Sequence, residues 1–379
     1  MIIDSHVYCF EPATSPAGHA SGEDHMRWLQ LAHAGHHQPA IRIRDRSPGP
    51  STPLNPSGRW DPDAAPDVDF RVNSARGRVV WNHEGEEYTK HFYPPDMGEL
   101  DYTHFSLTCE MDYAGVDMAL LHVDPILGRD SGFQAACVER FPDRLRSMAP
   151  VDEWRIPPET DAVIGELQRA IGELGLHAVK FCPPHAYLGN QEPWDDGPFR
   201  PFWEAATALG VPVFFTLGSG PAGMAGEDPP GGPRQEYLQE LRILTRWMER
   251  YPDTVCSLTH GFPWRLFLEG GRIVLPEEVW QPFDSPSCHL EVCFPVRLGD
   301  LFDFPYREVW PTLEEMVARV GSDRLLWGTD MPFQNRFCTY RQSRRWIEHY
   351  CDFLTAGDRE AIMGGTAGRI LGIESEVSV

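Results

Sequence analysis

The feature that most constrains this chain is a repeated alternation. Eight short apolar runs, "MIIDSHVY", "VDMALLHV", "LRSMAPV", "HAVKFCPP", "VPVFFTLG", "VCSLTHG", "CHLEVCF" and "LLWGTD", are separated by stretches with helical periodicity. The helical stretches include "GFQAACVERF", "TDAVIGELQRAIGELG", "FRPFWEAATALG", "RQEYLQELRILTRWMERY" and "WPTLEEMVARVG". Strands that alternate with helices make parallel β-α units, and eight of them predict a (β/α)8 TIM barrel. The competing arrangement is an open doubly wound sheet. No G-x-G-x-x-G follows any of the runs to cradle a dinucleotide.

The alternation breaks once. Between the first run and Asp101 the composition changes, and the segment 13–100 is expected to form an inserted cap, leaving 1–12 and 101–379 as the barrel. Within it, "EDHMRWLQLAHAGHH" reads as one helix, and six prolines between Arg44 and Asp67 exclude a regular element there. "RVVWNHEGEEYTKHFYPP" reads as a hairpin turning at Glu84-Gly85. His25, His33, His36 and His37 of this segment are expected at the surface, and His83, His91 and Tyr93 are candidates for a lid. An insertion after the first strand would overhang the mouth of a barrel, with Trp60, Trp81, Tyr88, Phe92 and Tyr93 available as apolar walls.

Composition narrows the partners. The 33 Lys and Arg against 56 Asp and Glu give a net charge of −23, which repels nucleic acid and anionic lipid and leaves a small molecule as the expected substrate. No apolar run reaches the roughly 20 residues of a membrane helix. With no signal-peptide pattern at the N-terminus, a cytoplasmic location is expected, and a homo-oligomer. The nine cysteines are scattered and never spaced C-x-x-C, as in a reduced protein.

Side chains at the carboxyl ends of barrel strands point into the active site. Alternation puts Asp4, His6 and Tyr8 on one face of the first strand, turns Lys180 inward on the fourth, ends the fifth at Thr216 and the sixth at His260. On the seventh strand His289, Glu291 and Cys293 share a face, and Asp330 ends the eighth. Lys180, Tyr8, Thr216 and Glu291 are the expected substrate contacts; a polar layer filling the barrel is the plainer explanation for His289 and Glu291.

In order along the chain, "IIDSHVY", "AGVDMALLHVDP", "ERFPDRLRSMAPV", "GLHAVKFCPP", "FRPFWEAATALGVPVFFTLGSG", "SLTHGFP", "DRLLWGTDMPF" and "IMGGTAGRILGI" resemble the landmarks of the amidohydrolase superfamily. The nearest branch holds metal-dependent nonoxidative decarboxylases of aromatic acids and aminocarboxymuconate semialdehyde, together with pyrone lactone hydrolases. The resemblance implies that the first-strand H-x-H motif falls on His6 and Tyr8, the fifth-strand metal histidine at or beside Thr216, where no histidine stands, the sixth-strand histidine on His260 and the eighth-strand aspartate on Asp330. His6 and Asp330 are then the retained metal ligands, and two of four are replaced.

Two reactions follow as expectations. The first is hydrolysis of a lactone, ester or amide in a small aromatic or carboxylated molecule, with Asp330 as general base and His260 stabilising the oxyanion. The alternative is nonoxidative decarboxylation. A third possibility is a non-catalytic binding protein, which would not need His260 and Asp330 at the mouth. Because a protonated phenol and a threonine are poor zinc ligands, the expectation is a metal-free, hydrogen-bonded constellation of His6, Tyr8, His260 and Asp330; a zinc site recruiting His260 or Glu291 is the alternative.

Overall fold

The computed structural model describes residues 1–95 and 97–373; position 96 and the last six residues of the expected barrel segment lie outside the described chain. All eight anticipated runs form parallel strands: β1 (Ile3–Val7), β2 (Met118–Leu121), β3 (Leu145–Ala149), β4 (Ala178–Phe181), β5 (Val213–Phe215), β6 (Cys256–Leu258), β7 (Cys288–Val292) and β8 (Leu325–Trp327). They pair in sequence order into one sheet. Its two edges meet where the Tyr8 amide donates to the Met331 carbonyl (2.8 Å) and the Asp330 amide to the His6 carbonyl (2.8 Å). The result is an α/β, nearly closed TIM barrel whose closing seam is made by site residues themselves.

Helices Ser131–Arg140, Thr160–Gly172, Arg200–Thr207, Gly232–Arg250 and Trp310–Val320 match the five helical stretches. Their apolar faces bury Phe202, Trp203, Leu244, Trp247 and Leu313. The helix His104–Ala114, which completes the first β-α unit, has weak apolar periodicity and was not anticipated. Such burial, at about 25 cal/mol per Å² of apolar surface, supplies the main stabilising term.

The segment after β1 leaves and re-enters the barrel through paired backbone, with Phe10 and Tyr102 exchanging amide-carbonyl bonds of 2.9 and 3.0 Å. It holds the helix Gly22–Gly35, capped by the Ser21 hydroxyl, and a five-stranded antiparallel sheet that includes the anticipated hairpin (Arg78–His83 with Glu86–Lys90). A small core of its own is built from Ala40, Leu54, Trp81 and Tyr88. The proline-rich stretch forms no regular element beyond a two-residue strand and two short helical turns, yet it is anchored. The Gln30 amide donates to the carbonyls of Leu54 (3.0 Å) and Pro66 (2.8 Å), tying it to the helix. His25 and His33 are buried on the inner face of this helix, not at the surface: the His25 ring bonds the carbonyls of Ser15 and Ile126, and the His33 ring bonds the Leu29 carbonyl one turn back.

Beyond β6 and β8 the chain takes left-handed backbone at His260 (φ 63°), Gly261 (φ 75°) and Asp330 (φ 64°). Non-glycine residues in that region cost on the order of 1–3 kcal/mol and persist where surrounding structure holds them. A Cβ on Gly261 would overlap the Trp264 indole. Gly261→Ala is therefore expected to lower stability by on the order of 1–3 kcal/mol through strain and overpacking, read as a drop of several degrees in the unfolding midpoint. An unchanged midpoint would contradict this account of the β6 end.

Candidate active site

At the centre of the barrel Glu291, on β7, is fully buried and accepts from three directions. The His6 ring nitrogen Nδ1 lies 2.8 Å from Oε2, the His260 amide donates to the same oxygen (2.5 Å), and the Ser5 hydroxyl donates to Oε1 (3.1 Å). Gly328 makes room for this carboxylate, since a Cβ there would sit 2.7 Å from Glu291 Cδ. Burial pushes Glu291 up to about 7, opposed by the His260 amide and the charge of Lys180.

The bond to Glu291 fixes the His6 tautomer. With Nδ1 donating, Nε2 is a bare acceptor facing the mouth of the barrel, 3.1 Å from the Tyr8 hydroxyl and 3.5 Å from Asp330 Oδ1. A carboxylate behind a histidine is the arrangement that orients imidazole for a metal ion. His122, at the end of β2, stacks on His6 with ring centroids 3.6 Å apart. Its Nε2 donates to the Ser5 carbonyl (2.8 Å), while Nδ1 accepts from Lys180 Nζ (3.0 Å). Burial holds His6, His122 and His260 well below the usual histidine range, so all three rings are neutral. Tyr8 is held well above its ordinary value by burial and stays a protonated phenol.

Above these groups lies a cavity of about 500 Å³. Four expected site residues line it: Tyr8, Thr216, His260 and Asp330. Thr216 shares a 2.5 Å hydroxyl contact with Thr259. The Asp330 carboxyl makes no hydrogen bond among the described residues; burial pushes it up to about 8, against the pull of Arg336 and Arg297. His260 Nδ1 is buried without a partner. From the inserted segment, Trp60, Phe92, His36 and His37 reach the same cavity, so His36 and His37 are wall residues and not outward-facing ones. Trp81 and Tyr88 serve the segment's own core instead.

Two expected substrate contacts do not reach the cavity. Glu291 is enclosed beneath His6 and His260, with both oxygens already accepting hydrogen bonds. Lys180 is engaged by His122 and Thr259 (3.5 Å). His289 lies at the other end of β7, its Nδ1 against the carbonyls of Cys256 and Ser287.

Sequence reasoning missed three residues. His122 stood in plain view in "ALLHV", where the strand-end rule would have found it. Arg297 lies in the short helix Phe294–Leu298 after β7 and Arg336 ends the helical turn Phe333–Arg336 after β8, and both line the cavity. Arg336 Nη1 lies 3.0 Å from His36 Nε2. The Arg297 guanidinium makes no hydrogen bond or ion pair among the described residues.

Comparison with known proteins agrees with this architecture. The gamma-resorcylate decarboxylase of Rhizobium sp. (strain MTP-10005) is 24% identical over 244 residues, 58% of this chain and 66% of that protein. The matched region thus spans just under two thirds of that relative's length. Among solved structures, 5-carboxyvanillate decarboxylase LigW from Sphingomonas paucimobilis superposes with a TM-score of 0.54 at 17% identity, covering 98% of this chain and 99% of the other. A 5-carboxyvanillate decarboxylase from Novosphingobium aromaticivorans, complexed with manganese and 4-hydroxy-3-methoxy-5-nitrobenzoic acid, gives 0.50 at 17% identity over 70% and 79%. A probable 2-pyrone-4,6-dicarboxylic acid hydrolase from Acinetobacter baumannii gives 0.51 at 14% identity over 74% and 91%. Similarity to structures at these identities shows the shared fold. The Amidohydrolase family profile matches residues 36–373, and the chain belongs to that enzyme family.

Proposed function

We propose that this enzyme is a nonoxidative decarboxylase of an aromatic or unsaturated carboxylic acid, working with a divalent metal at the barrel mouth. The observation that carries the reading is the free guanidinium of Arg297, facing the cavity beside Arg336. An uncompensated cation in a concave pocket marks the place of an anionic substrate group. Trp60, Phe92, Phe262 and Phe333 give that pocket walls suited to a planar ring. The decarboxylases among the relatives support carbon-carbon cleavage over the hydrolysis that was the first expectation from sequence. Residues 13–100 act in this reading as the cap that completes the cavity.

The donors present suit a metal, in place of the metal-free constellation expected from sequence. Two donors at about 2.0–2.1 Å from one tetrahedral ion stand about 3.4 Å apart, and His6 Nε2 and Asp330 Oδ1 are separated by 3.5 Å. His260, neutral and with an unpartnered Nδ1, is the third candidate ligand. Neutral imidazoles and a carboxylate suit manganese or zinc. When bound, such an ion polarises substrate oxygens and stabilises the negative charge released as the carbon-carbon bond breaks.

The chain's own groups do the rest. Arg297 and Arg336 bind and orient the substrate anion, and the Tyr8 hydroxyl is a donor within reach of a substrate oxygen. The cap walls exclude water, which strengthens each of these contacts. Departure of carbon dioxide leaves a carbanion that needs a proton. Burial raises the proton affinity of the Asp330 carboxyl and a nearby cation lowers it, which leaves this group able to exchange a proton near neutrality.

A panel of hydroxylated aromatic acids and pyrone lactones tests the assignment: carbon dioxide release from the acids is expected, and ring opening of lactones without carbon dioxide would overturn it. Asp330→Asn should lower turnover by about two to four orders of magnitude; a variant with near wild-type turnover removes Asp330 from the chemistry. Loss of a charge-assisted contact costs about 1.5–3 kcal/mol, so Arg297→Met should raise KM about tenfold to a hundredfold, and an unchanged KM would displace the anion subsite. Exhaustive chelation should abolish activity and manganese or zinc restore it; full activity without metal would return the site to the hydrogen-bonded alternative.

A further inference from the structure

A second group of ligand-type side chains stands apart from His6 and Asp330. Glu153 lies in the turn after β3, Cys182 directly follows β4, and His185 sits in the short helical turn Pro183–Ala186. All three are buried, and one donor atom from each lies within 4.8 Å of the other two.

We propose that Glu153, Cys182 and His185 form a second transition-metal site, one that takes a zinc-like ion independently of the ion assigned to His6 and Asp330.

The first argument is geometric. His185 Nδ1 and Glu153 Oε2 are 3.6 Å apart, and neither atom has a hydrogen-bond partner among the described residues. A buried imidazole and carboxylate that served only each other would close to about 2.7–2.9 Å. The observed gap is instead near the about 3.4 Å that separates two ligands of one tetrahedral ion. Glu153 is held in this pose from behind, because its Oε1 accepts from the Cys182 amide at 2.5 Å.

The second argument is chemical. A thiol, an imidazole and a carboxylate are three protein ligands of the kinds zinc takes, the number found at sites that keep one position open. Trp28, Trp60 and Trp154 surround the His185 ring at centroid distances of 5.4, 6.2 and 6.2 Å, an apolar shell that limits water. His185 also lines the main cavity, so the open position belongs to the side from which small molecules arrive. Glu153 and Cys182 border a void of about 10 Å³, shared with Asp124, Lys180 and Arg129.

A cysteine nucleophile served by His185 is the rival use of these residues. Burial pushes the Cys182 thiol up, which disfavours a free thiolate. Against its burial, Cys182 and Glu153 push the His185 ring up to about 10. An incoming dication removes both obstacles: the sulfur-metal and nitrogen-metal bonds form as the thiol proton and one imidazolium proton are released to solvent.

Cobalt(II) titration of chelator-stripped protein, followed by absorption spectroscopy and elemental analysis, tests the site. Wild type is expected to bind two ions per chain and to show a sulfur-to-cobalt charge-transfer band in the near ultraviolet. Cys182→Ser should lose the band and one ion, Cys293→Ser should keep both, and Glu153→Gln should weaken the sulfur-linked ion about tenfold to a hundredfold. No sulfur band in wild type overturns the proposal, whether or not any variant folds. A band that survives Cys182→Ser, or one lost in Cys293→Ser, overturns it as well. One ion with the band would sustain this site while removing the one at His6 and Asp330; one ion without it would do the reverse.

Discussion

Everything at the mouth of this barrel depends on one buried carboxylate. Glu291 holds β1 through His6 and Ser5, holds the β6 end through the His260 amide, and fills the space that Gly328 leaves on β8. A carboxylate taken out of water is costly unless its oxygens are matched by donors. Three donors from two other strands offset that cost and fix the relative register of the groups they carry. Satisfying Glu291 and aiming His6 are one structural event.

The same economy extends outward. His6 can turn an unprotonated Nε2 toward Tyr8 and Asp330 because its other nitrogen is engaged, and His122 stacks on it in the tautomer set by Lys180 and the Ser5 carbonyl. Burial keeps these rings neutral, which suits them to bind a cation and unsuits them to carry charge themselves. The left-handed backbone at His260 and Asp330 is the cost of turning both side chains back over the barrel, and the surrounding hydrogen bonds maintain it. Cations at the cavity come instead from Arg297 and Arg336, carried by the helical turns that follow β7 and β8.

The barrel was legible because its signal is repeated eight times; a misread run would have left the rest of the pattern intact. Strand alternation put His6 and Tyr8 on one face, since a period of two admits only one inward set, and His260 and Asp330 were found by their place just past the strand ends. The rule gives a direction and no depth. Lys180 and Glu291 do point inward, yet they stop beneath the cavity, and depth depends on barrel packing that one strand's sequence does not carry. Arg297 and Arg336 escaped because they sit in helical turns of five and four residues, too short to carry a periodicity that can be read. The insertion's histidines were misjudged because polar composition looks like exposure, whereas His25 and His33 stand on the buried face of the helix Gly22–Gly35.

The most direct test of this account is Glu291→Gln, a change that keeps volume and removes charge from a residue with no access to substrate. If Glu291 aims His6 at a metal, the variant should fold with the wild-type circular dichroism spectrum and lose about tenfold to a hundredfold in metal affinity or activity. A folded Glu291→Gln protein with unchanged metal affinity and unchanged turnover would contradict the account at its centre.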